Sequence, residues 1–166
     1  MSDDIRAEIA ALVPRLRRFA YAISGNRDEG DDLVQQACLK ALSRLSQYQR
    51  GTRLDSWMFR IIQTTHIDAI RRRKRQATPA EPELLERQSD EGREAGRSEQ
   101  RLLLARVRAA IAELPEEQRA VMALVAIEGY SYKEAAELLE TPIGTVMSRL
   151  ARARARLMPL MAEGAS

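Results

Sequence analysis

The sequence predicts an all-α protein of two small helical domains joined by a flexible linker, with a helix-turn-helix in the C-terminal domain. Apolar residues recur every three or four positions in both halves of the chain, which is the period of an amphipathic helix. No alternating run rich in Val, Ile and Thr is long enough for a sheet. Between the halves, a segment rich in Pro, Glu, Gln, Ser and Gly has too few large apolar residues to order itself. We therefore expect domains at residues 1–75 and 101–166 and a linker at 76–100.

Charge is distributed unevenly along the chain. The 27 basic and 24 acidic residues give a net charge of +3, but residues 1–75 carry +6, residues 76–100 carry −4 and residues 101–166 carry +1. Basic modules on either side of an acidic strip favour a polyanion as the partner of the modules. The N-terminus has no signal-peptide pattern and no 18 apolar residues run together, so we expect a cytoplasmic protein without membrane insertion.

Three helices are predicted in the N-terminal domain. The first spans about residues 4–24 and should end at Gly25. The second runs to about Leu45, with acidic side chains in its first turn, where they complement the helix dipole. A polar loop at 46–54 leads to the third helix, about Trp57 to Arg75, which Asp55 or Ser56 is expected to cap.

The last turn of that third helix is the run Arg71-Arg72-Arg73-Lys74-Arg75. One or two cations there suit the negative end of the helix dipole. Five in a row exceed that need and indicate a patch that binds phosphates.

The C-terminal domain is predicted to contain four helices. The first covers about residues 99–113, and the second begins at Pro115 and ends at Gly129. Ser131 and Glu134 have the spacing of a capping box at the start of the third helix. Pro142 separates the third helix from the fourth, since proline lacks an N–H and restricts the residue before it.

The fourth helix has an apolar face and a cationic face. The apolar face is formed by Val146, Leu150, Ala153 and Leu157, and the cationic face by Arg149, Arg152 and Arg156. An arginine stripe is also typical of a solvated surface, and an Ala-rich helical hairpin is common in bundles. The short preceding helix, the proline-marked turn and the density of arginines together favour a helix-turn-helix whose second helix enters a DNA major groove.

Catalytic chemistry finds little support in the sequence. His66 is the sole histidine, and no Ser/His/Asp or Cys/His set can be assembled without it. Neither a Gly-rich phosphate loop nor a cluster of metal ligands is present, and the single cysteine, Cys38, excludes an intrachain disulfide. We expect no enzymatic activity, cofactor or metal.

With these motifs placed, the chain resembles the bacterial extracytoplasmic-function (ECF) sigma factors of the sigma-70 family over nearly its whole length. DDLVQQACLKAL resembles region 2.2, SWMFRIIQTTHIDAIRRRKR resembles regions 2.3 to 2.4, and the stretch from LPEEQ to RARARL resembles region 4. Counterparts of regions 1.1 and 3 are absent. The resemblance implies a promoter-specificity subunit that binds core RNA polymerase at the β′ clamp and the β flap, and that an anti-sigma factor holds inactive.

The resemblance also assigns residues of the N-terminal domain. Polymerase binding falls on the start of the second helix, at Asp31, Asp32, Leu33, Gln35 and Gln36, whose alternative role is to complement the helix dipole. The minus-10 element would be read by the loop at 46–54 and by nearby cations, at Tyr48, Arg50, Arg53, Arg60, Arg71, Arg72 and Arg75. Tyr48 could stack on an extruded base or simply pack over the domain. Thr64 stands where many relatives carry Asn.

In the C-terminal domain the resemblance assigns the minus-35 element to the helix-turn-helix. The base-reading positions fall on Met147, Ser148, Ala151 and Arg152, and the backbone contacts on Thr145, Arg149, Arg154 and Arg156. Ser131, Tyr132 and Lys133 are expected to contact phosphates. Arg152 is the candidate for a bidentate contact with guanine, whereas Met147 departs from the Lys or Arg often found there.

An ordinary helix-turn-helix regulator that binds an operator as a dimer is the alternative function. That function leaves the acidic second helix and the linker unexplained, and it predicts self-association and binding to duplex DNA alone.

Overall fold

The computed structural model of the protein describes residues 2–76 and 99–164, and within these ranges the chain is all-α and contains no strand. The helices are α1 (Ser2–Ser24), α2 (Arg27–Ser43), α3 (Leu54–Gln76), α4 (Glu99–Glu113), α5 (Glu116–Met122), α6 (Tyr132–Leu139) and α7 (Ile143–Gly164). A 3₁₀ turn, Leu45–Gln47, follows α2, and a π-helical segment, Ala123–Ile127, continues α5. The predicted fold class is confirmed, while residues 77–98 of the expected linker lie outside the described residues.

The first three helices, which we call the N-terminal group, pack through the apolar faces that the sequence predicts. Leu16, Phe19 and Ile23 of α1 are fully buried against Met58, Phe59 and Ile62 of α3. The rings of Phe19 and Phe59 lie 4.9 Å apart in a tilted arrangement, which suits the quadrupoles of both rings. Pro14 lies inside α1 without ending it.

The turn between α1 and α2 is built as the sequence predicts at Gly25, whose φ of +83° ends α1. Asn26 then caps α2, because its side chain accepts a hydrogen bond from the Glu29 backbone N–H at 2.8 Å. Farther into α2, Gly30 is buried against α1, and a Cβ there would lie 2.3 Å from Tyr21 Cδ1 and 3.1 Å from the Tyr21 backbone nitrogen.

The start of α3 differs from the prediction. The helix begins at Leu54, and the Trp57 N–H donates to the Arg53 carbonyl at 3.2 Å. Asp55 therefore lies in the first turn, so the prediction that Asp55 or Ser56 caps α3 is wrong. Leu54 is buried, and its burial explains why the helix extends back to this residue.

The remaining helices form the C-terminal group, in which α5, α6 and α7 surround a core that includes Val121, Leu124, Val146 and Leu150. Gly129 adopts a φ of +75° after the π-helical segment. The predicted capping box is present, because Ser131 Oγ accepts from the Glu134 N–H and Glu134 Oε1 accepts from the Ser131 N–H, both at 3.0 Å.

The two groups also pack against each other, and their buried side chains form one hydrophobic cluster. Helix α1 lies against α5 and the π-helical segment, and α3 lies against α6. The rings of Phe59 and Tyr130 meet edge to face across this boundary at 5.9 Å. We call the surface shared by the two groups the domain interface.

In the described part of the chain, no helix combines the length and the apolar character needed to cross a membrane.

The close approach of α1 and α2 gives a stability prediction. Gly30→Ala should lower the free energy of unfolding by about 1 to 3 kcal/mol, because the added methyl must displace Tyr21 and its backbone. The matched control is Gly144→Ala in α7, where a Cβ would meet no atom within 4 Å. That substitution should raise the stability by up to about 1 kcal/mol. Thermal and urea unfolding of both variants measure the difference, and an unchanged Gly30→Ala protein would contradict the tight α1–α2 contact.

Candidate nucleic-acid and polymerase interface

Helix α7 separates its apolar and cationic residues onto two faces. Val146, Leu150, Ala153 and Leu157 are buried, as predicted. The residues assigned to base reading, Met147, Ser148, Ala151 and Arg152, are exposed. Among the assigned backbone contacts, Arg154 and Arg156 are exposed, while Thr145 and Arg149 are half-buried. One side of α7 is thus available to a partner along its N-terminal half.

The turn before α7 orients this exposed side. Helix α6 ends at Leu139, and the next residue, Glu140, adopts a left-handed conformation with φ +53° and donates its N–H to the Glu137 carbonyl. The Pro142 carbonyl then accepts from the N–H groups of Thr145 and Val146 at 3.0 and 3.3 Å, which starts α7. A short helix joined in this way to a longer one forms a helix-turn-helix. Of the residues assigned to phosphates at the start of α6, Ser131 and Lys133 are exposed and Tyr132 is half-buried.

A polar cleft runs beside the first turns of α7. Its walls include Thr145, Ser148, Arg149 and Arg152 of α7, and Gln118 of α5. Gln118 Oε1 is buried and accepts no hydrogen bond among the described residues. The cleft therefore joins hydroxyl, amide and guanidinium groups next to the residues assigned to base reading.

The loop assigned to the minus-10 element is ordered by its own contacts. The ring of Tyr48 lies 5.1 Å from that of Trp57, and its hydroxyl donates to the Thr52 carbonyl at 2.6 Å. Tyr48 is half-buried by this packing, so one part of the ring is covered and another faces solvent. Arg50, in the same loop, is exposed.

Two of the arginines assigned to the minus-10 element are engaged at the domain interface. Arg53 pairs with Glu134 and lies over the ring of Tyr130, 4.5 Å from its centroid. Arg60 Nη2 donates to the Glu137 carbonyl at 2.9 Å. Both arginines thus contact the C-terminal group through the segment from Tyr130 to Glu137.

The cationic end of α3 is exposed, as the run of basic residues suggests. Arg71, Arg72 and Arg75 all face solvent, whereas Arg73 pairs with Glu29 of α2 at 3.0 Å. Arg71 also lines a groove between α3 and the C-terminal group, together with Lys74 and Arg149. Cations from both groups therefore lie along one groove.

Helix α2 presents some, but not all, of the residues assigned to polymerase binding. Asp31, Asp32 and Gln35 are exposed, and Gln36 Nε2 donates to Asp32 Oδ2 at 2.7 Å. Asp31 also accepts a hydrogen bond from the Tyr21 hydroxyl. Leu33 is 4% exposed and belongs to the core, so its assignment to the surface of α2 does not hold in this structure. Its burial follows from its position on the apolar face of α2, with Val34 and Ala37.

Comparison with known proteins gives two matches to family models. Sigma-70 region 2 matches residues 9–76, and Sigma-70 region 4 matches residues 104–157. Over 97% of its length the chain is 36% identical to the ECF RNA polymerase sigma factor EcfG of Rhodopseudomonas palustris (strain TIE-1), of which it covers 87%. The chain belongs to the ECF RNA polymerase sigma factors. The resemblance that the sequence motifs indicate is thereby confirmed.

Other relatives and solved structures agree with this family. The chain is 36% identical over 92% of its length to the ECF sigma factor SigE of Mycolicibacterium smegmatis (strain ATCC 700084 / mc(2)155), although it spans only 59% of that protein. The sigma factor RpoE of Bartonella quintana, solved in complex with the anti-sigma factor NepR, superposes with a TM-score of 0.74 at 28% identity. That match covers 96% of this chain and 97% of RpoE. CnrH, solved in complex with the cytosolic domain of CnrY, superposes with a TM-score of 0.67 at 26% identity. That match covers 98% of this chain and 90% of CnrH.

Sigma factors bind core RNA polymerase and promoter DNA, and they are not an enzyme family. In this ECF sigma factor the exposed face of α7 and the exposed end of α3 provide cationic surfaces suited to a polyanion. Phosphate contacts from such surfaces position a protein on DNA, and side chains at the groove read the bases.

Some surface residues of this sigma factor were missed by the sequence analysis. Leu39 and Leu42 of α2 are 64% and 41% exposed, although both are large apolar residues. They extend the exposed face of α2 beyond Gln35 with apolar area. The signal available in the sequence was the spacing: Leu39 lies four residues beyond Gln35, and Leu42 three beyond Leu39, so both share the helix face of Gln35.

The ion pairs at the domain interface were missed as well. Glu128 Oε2 accepts from Arg15 Nε at 3.0 Å, and Glu128 Oε1 accepts from Arg18 Nη2 at 3.0 Å. These residues are more than 100 positions apart in sequence, so no local pattern indicates the contact. Arg15 also donates to Asp55 at 3.2 Å, which links the pair to α3.

The environment of the domain interface shifts the pKa values of Asp55 and Tyr130. Burial would raise the pKa of Asp55, but hydrogen bonds from Arg53, the Ser56 N–H and Arg15 outweigh it, and the pKa lies below its usual value. Burial raises the pKa of the Tyr130 hydroxyl, which lies 3.0 Å from Ser56 Oγ. Asp55 thus remains ionised between its two arginine partners at neutral pH.

Proposed function

We propose that the chain is a promoter-specificity subunit with no catalytic activity of its own, which directs core RNA polymerase to a set of promoters in the cytoplasm. The observation that carries this proposal is the exposed cationic face of α7, positioned by a helix-turn-helix in a chain that belongs to the ECF sigma factors. Residues 1–75 would read the minus-10 element and bind the β′ clamp. Residues 101–166 would read the minus-35 element and contact the β flap, with residues 76–100 joining the two domains.

Recognition of the minus-35 element would rest on the N-terminal half of α7. Arg152 is exposed one turn beyond Ser148, and Ala151 one turn beyond Met147, so this exposed part of α7 can present side chains to neighbouring base edges. A bidentate contact between Arg152 and guanine would contribute about 1 to 3 kcal/mol of discrimination. Met147, 51% exposed, offers an apolar surface suited to the methyl group of thymine.

Recognition of the minus-10 element would use the loop at 46–54 with the adjoining cations of α3. Tyr48 packs against Trp57 in a tilted arrangement, and an extruded base could stack on the part of Tyr48 that faces solvent. Stacking of one base on an aromatic side chain is worth about 1 to 3 kcal/mol. Arg71, Arg72 and Arg75 would hold the backbone of the same strand.

Polymerase binding would use the exposed face of α2. Asp31, Asp32, Gln35 and Gln36 supply polar groups, and Leu39 and Leu42 supply exposed apolar area on the same helix. A mixed polar and apolar face of this kind is typical of a protein–protein interface. Leu33 is left out of this face because it is buried.

An anti-sigma factor is the proposed regulator of the chain. The sigma factor RpoE, which resembles this chain over nearly its whole length, was solved with the anti-sigma factor NepR. With a single cysteine in the sequence, and no group of three or more potential metal ligands in the described ranges, we place the sensing of the signal in that partner.

Run-off transcription from a genomic fragment library, with core RNA polymerase in the presence and absence of the protein, tests the proposed function. We expect transcripts that start only when both are present, and their aligned upstream sequences should reveal both promoter elements. Absence of new start sites, together with binding of a dimer to duplex DNA without polymerase, would favour an operator-binding regulator instead.

Substitutions in α7 should separate base reading from backbone binding. Arg152→Ala should remove about 1 to 3 kcal/mol of discrimination at one minus-35 position, measured as relative run-off from promoters with single substitutions. Arg156→Ala should weaken binding to all promoters equally and reduce the salt slope of log K by about 0.9, because one phosphate contact is lost. Equal behaviour of the two variants would refute the assignment of Arg152 to a base.

Substitutions in α2 should distinguish its exposed residues, which we propose bind polymerase, from its buried residues, which stabilise the fold. Asp32→Ala combined with Gln35→Ala should weaken binding to core polymerase about tenfold or more, with little change in thermal stability, since both side chains are exposed. Leu33→Ala should instead cost about 2 to 5 kcal/mol of stability, because it leaves a cavity in the core. Retention of full polymerase affinity by the double variant would rule out this face of α2 as the docking surface.

A further inference from the structure

A buried amide of α5 lies on the wall of the polar cleft without a hydrogen-bond partner. Gln118 is 7% exposed, its Oε1 is buried, and this oxygen accepts no hydrogen bond among the described residues. A buried acceptor without a partner destabilises a folded protein, and such groups are rare in native structures. Packing of the free protein therefore does not explain why an amide occupies this position.

The polar side chains of α7 that line the cleft differ in their ability to reach this oxygen. Ser148 Oγ donates its hydrogen to a carbonyl of its own helix at 2.9 Å. Thr145 makes no hydrogen bond to Gln118, and its side chain is too short to change its reach. Arg149 and Arg152 have long side chains whose head groups move when the side-chain torsions change rotamer. A guanidinium group is thus the donor that α7 can bring to the amide.

Of the two arginines, Arg152 is the better partner for the amide. It is exposed and makes no hydrogen bond or ion pair with the residues that the structure describes. Arg149 also lines the groove beside α3, and Glu117 lies on the walls of both cavities, so a carboxylate is available to Arg149. Glu117 is exposed and hydrated, whereas Gln118 Oε1 is buried and gains more from a new donor.

The hydrogen-bonding capacity of arginine suits a position between a base and this amide. A guanidinium group has five N–H donors in one rigid plane, and a bidentate contact with guanine uses two of them. The other N–H groups can donate to an acceptor on the protein side. A hydrogen bond from a charged donor is stronger than one between neutral groups, and a second partner fixes the plane of the guanidinium.

We propose that Gln118 is a positioning residue for minus-35 recognition, whose Oε1 accepts a hydrogen bond from the Arg152 guanidinium on promoter binding and orients it toward the base. The inference rests on the proposed function, because it concerns the base contact that this function assigns to Arg152. Gln118 lies in α5, outside the helix-turn-helix, and acts on the base only through Arg152. The amide that has no partner in the free protein gains one in the DNA complex.

Two substitutions of Gln118 separate its acceptor from its shape. Gln118→Met keeps the length of the side chain and removes the acceptor, whereas Gln118→Glu keeps an acceptor and has no N–H to donate. The readout is run-off transcription by the full chain with core RNA polymerase, from promoters that differ only at the base pair where Arg152→Ala loses discrimination. Gln118→Met should lower the ratio of transcripts from the preferred and the substituted promoter about threefold to tenfold, and Gln118→Glu should retain the ratio.

The stability of the free protein distinguishes positioning from packing. Because Gln118→Met removes a buried acceptor that has no partner, its melting temperature should equal or exceed that of the wild type. A melting temperature more than about 3 °C below that of the wild type would show that the amide stabilises the fold, and it would overturn the proposal.

A double-mutant cycle and a matched control connect the effect to Arg152. In the Arg152→Ala background, Gln118→Met should change the transcript ratio by less than about twofold, because no guanidinium is left to orient. The control is Gln63→Met, since Gln63 Oε1 is likewise buried without a partner but lies in α3 and lines the other groove. This control should keep the full minus-35 discrimination.

The outcomes distinguish this role of Gln118 from the proposed function. Full discrimination by a folded Gln118→Met protein would overturn the role and leave the proposed function intact. An equal loss in the wild-type and Arg152→Ala backgrounds would also overturn it, because the amide would then act independently of Arg152. A wild-type protein that supported no promoter-specific transcription would refute the proposed function and, with it, the role of Gln118.

Discussion

The buried guanidinium of Arg119 is the interaction on which the arrangement of the two helical groups depends. Its Nη1 donates to the Ala112 carbonyl at the end of α4, at 2.8 Å, and its Nη2 donates to the Ile23 carbonyl at the end of α1, at 3.0 Å. Carbonyls at a helix C-terminus have no partner within the helix, and a cation there also suits the helix dipole. Burial lowers the pKa of Arg119, but an arginine remains charged throughout the physiological range.

This contact requires the chain to turn away sharply after Ile23. Gly25, with its positive φ, ends α1 and leaves the last carbonyls open to Arg119, whose guanidinium lies within about 4 Å of the position a Cβ would take at Gly25. A local property of one residue therefore determines whether a long-range contact can form. Around it, the apolar cluster excludes water and strengthens the polar contacts.

The residues proposed to bind DNA are not equally accessible in this structure. The face of α7 that we propose reads bases and the end of α3 are open to solvent, whereas Arg53 and Arg60 contact α6 and the residues before it. The surfaces proposed for the minus-35 and minus-10 elements therefore differ in how far they are accessible in this structure. The groove that contains Arg71, Lys74 and Arg149 lies between these surfaces and carries cations from both groups.

The sequence alone determined the local structure and the family. Periodicity placed the buried faces of α1 and α7 correctly, and Gly25, Gly129, Ser131 and Pro142 marked helix ends, because each of these signals acts within a few residues. Tertiary structure alone decided that Leu39 and Leu42 are exposed, that α3 begins at Leu54, and that Glu128 meets Arg15 and Arg18. The contacts of Arg15 with Asp55 and Glu128 join residues 40 and 113 positions apart, and such contacts leave no periodic trace in the sequence.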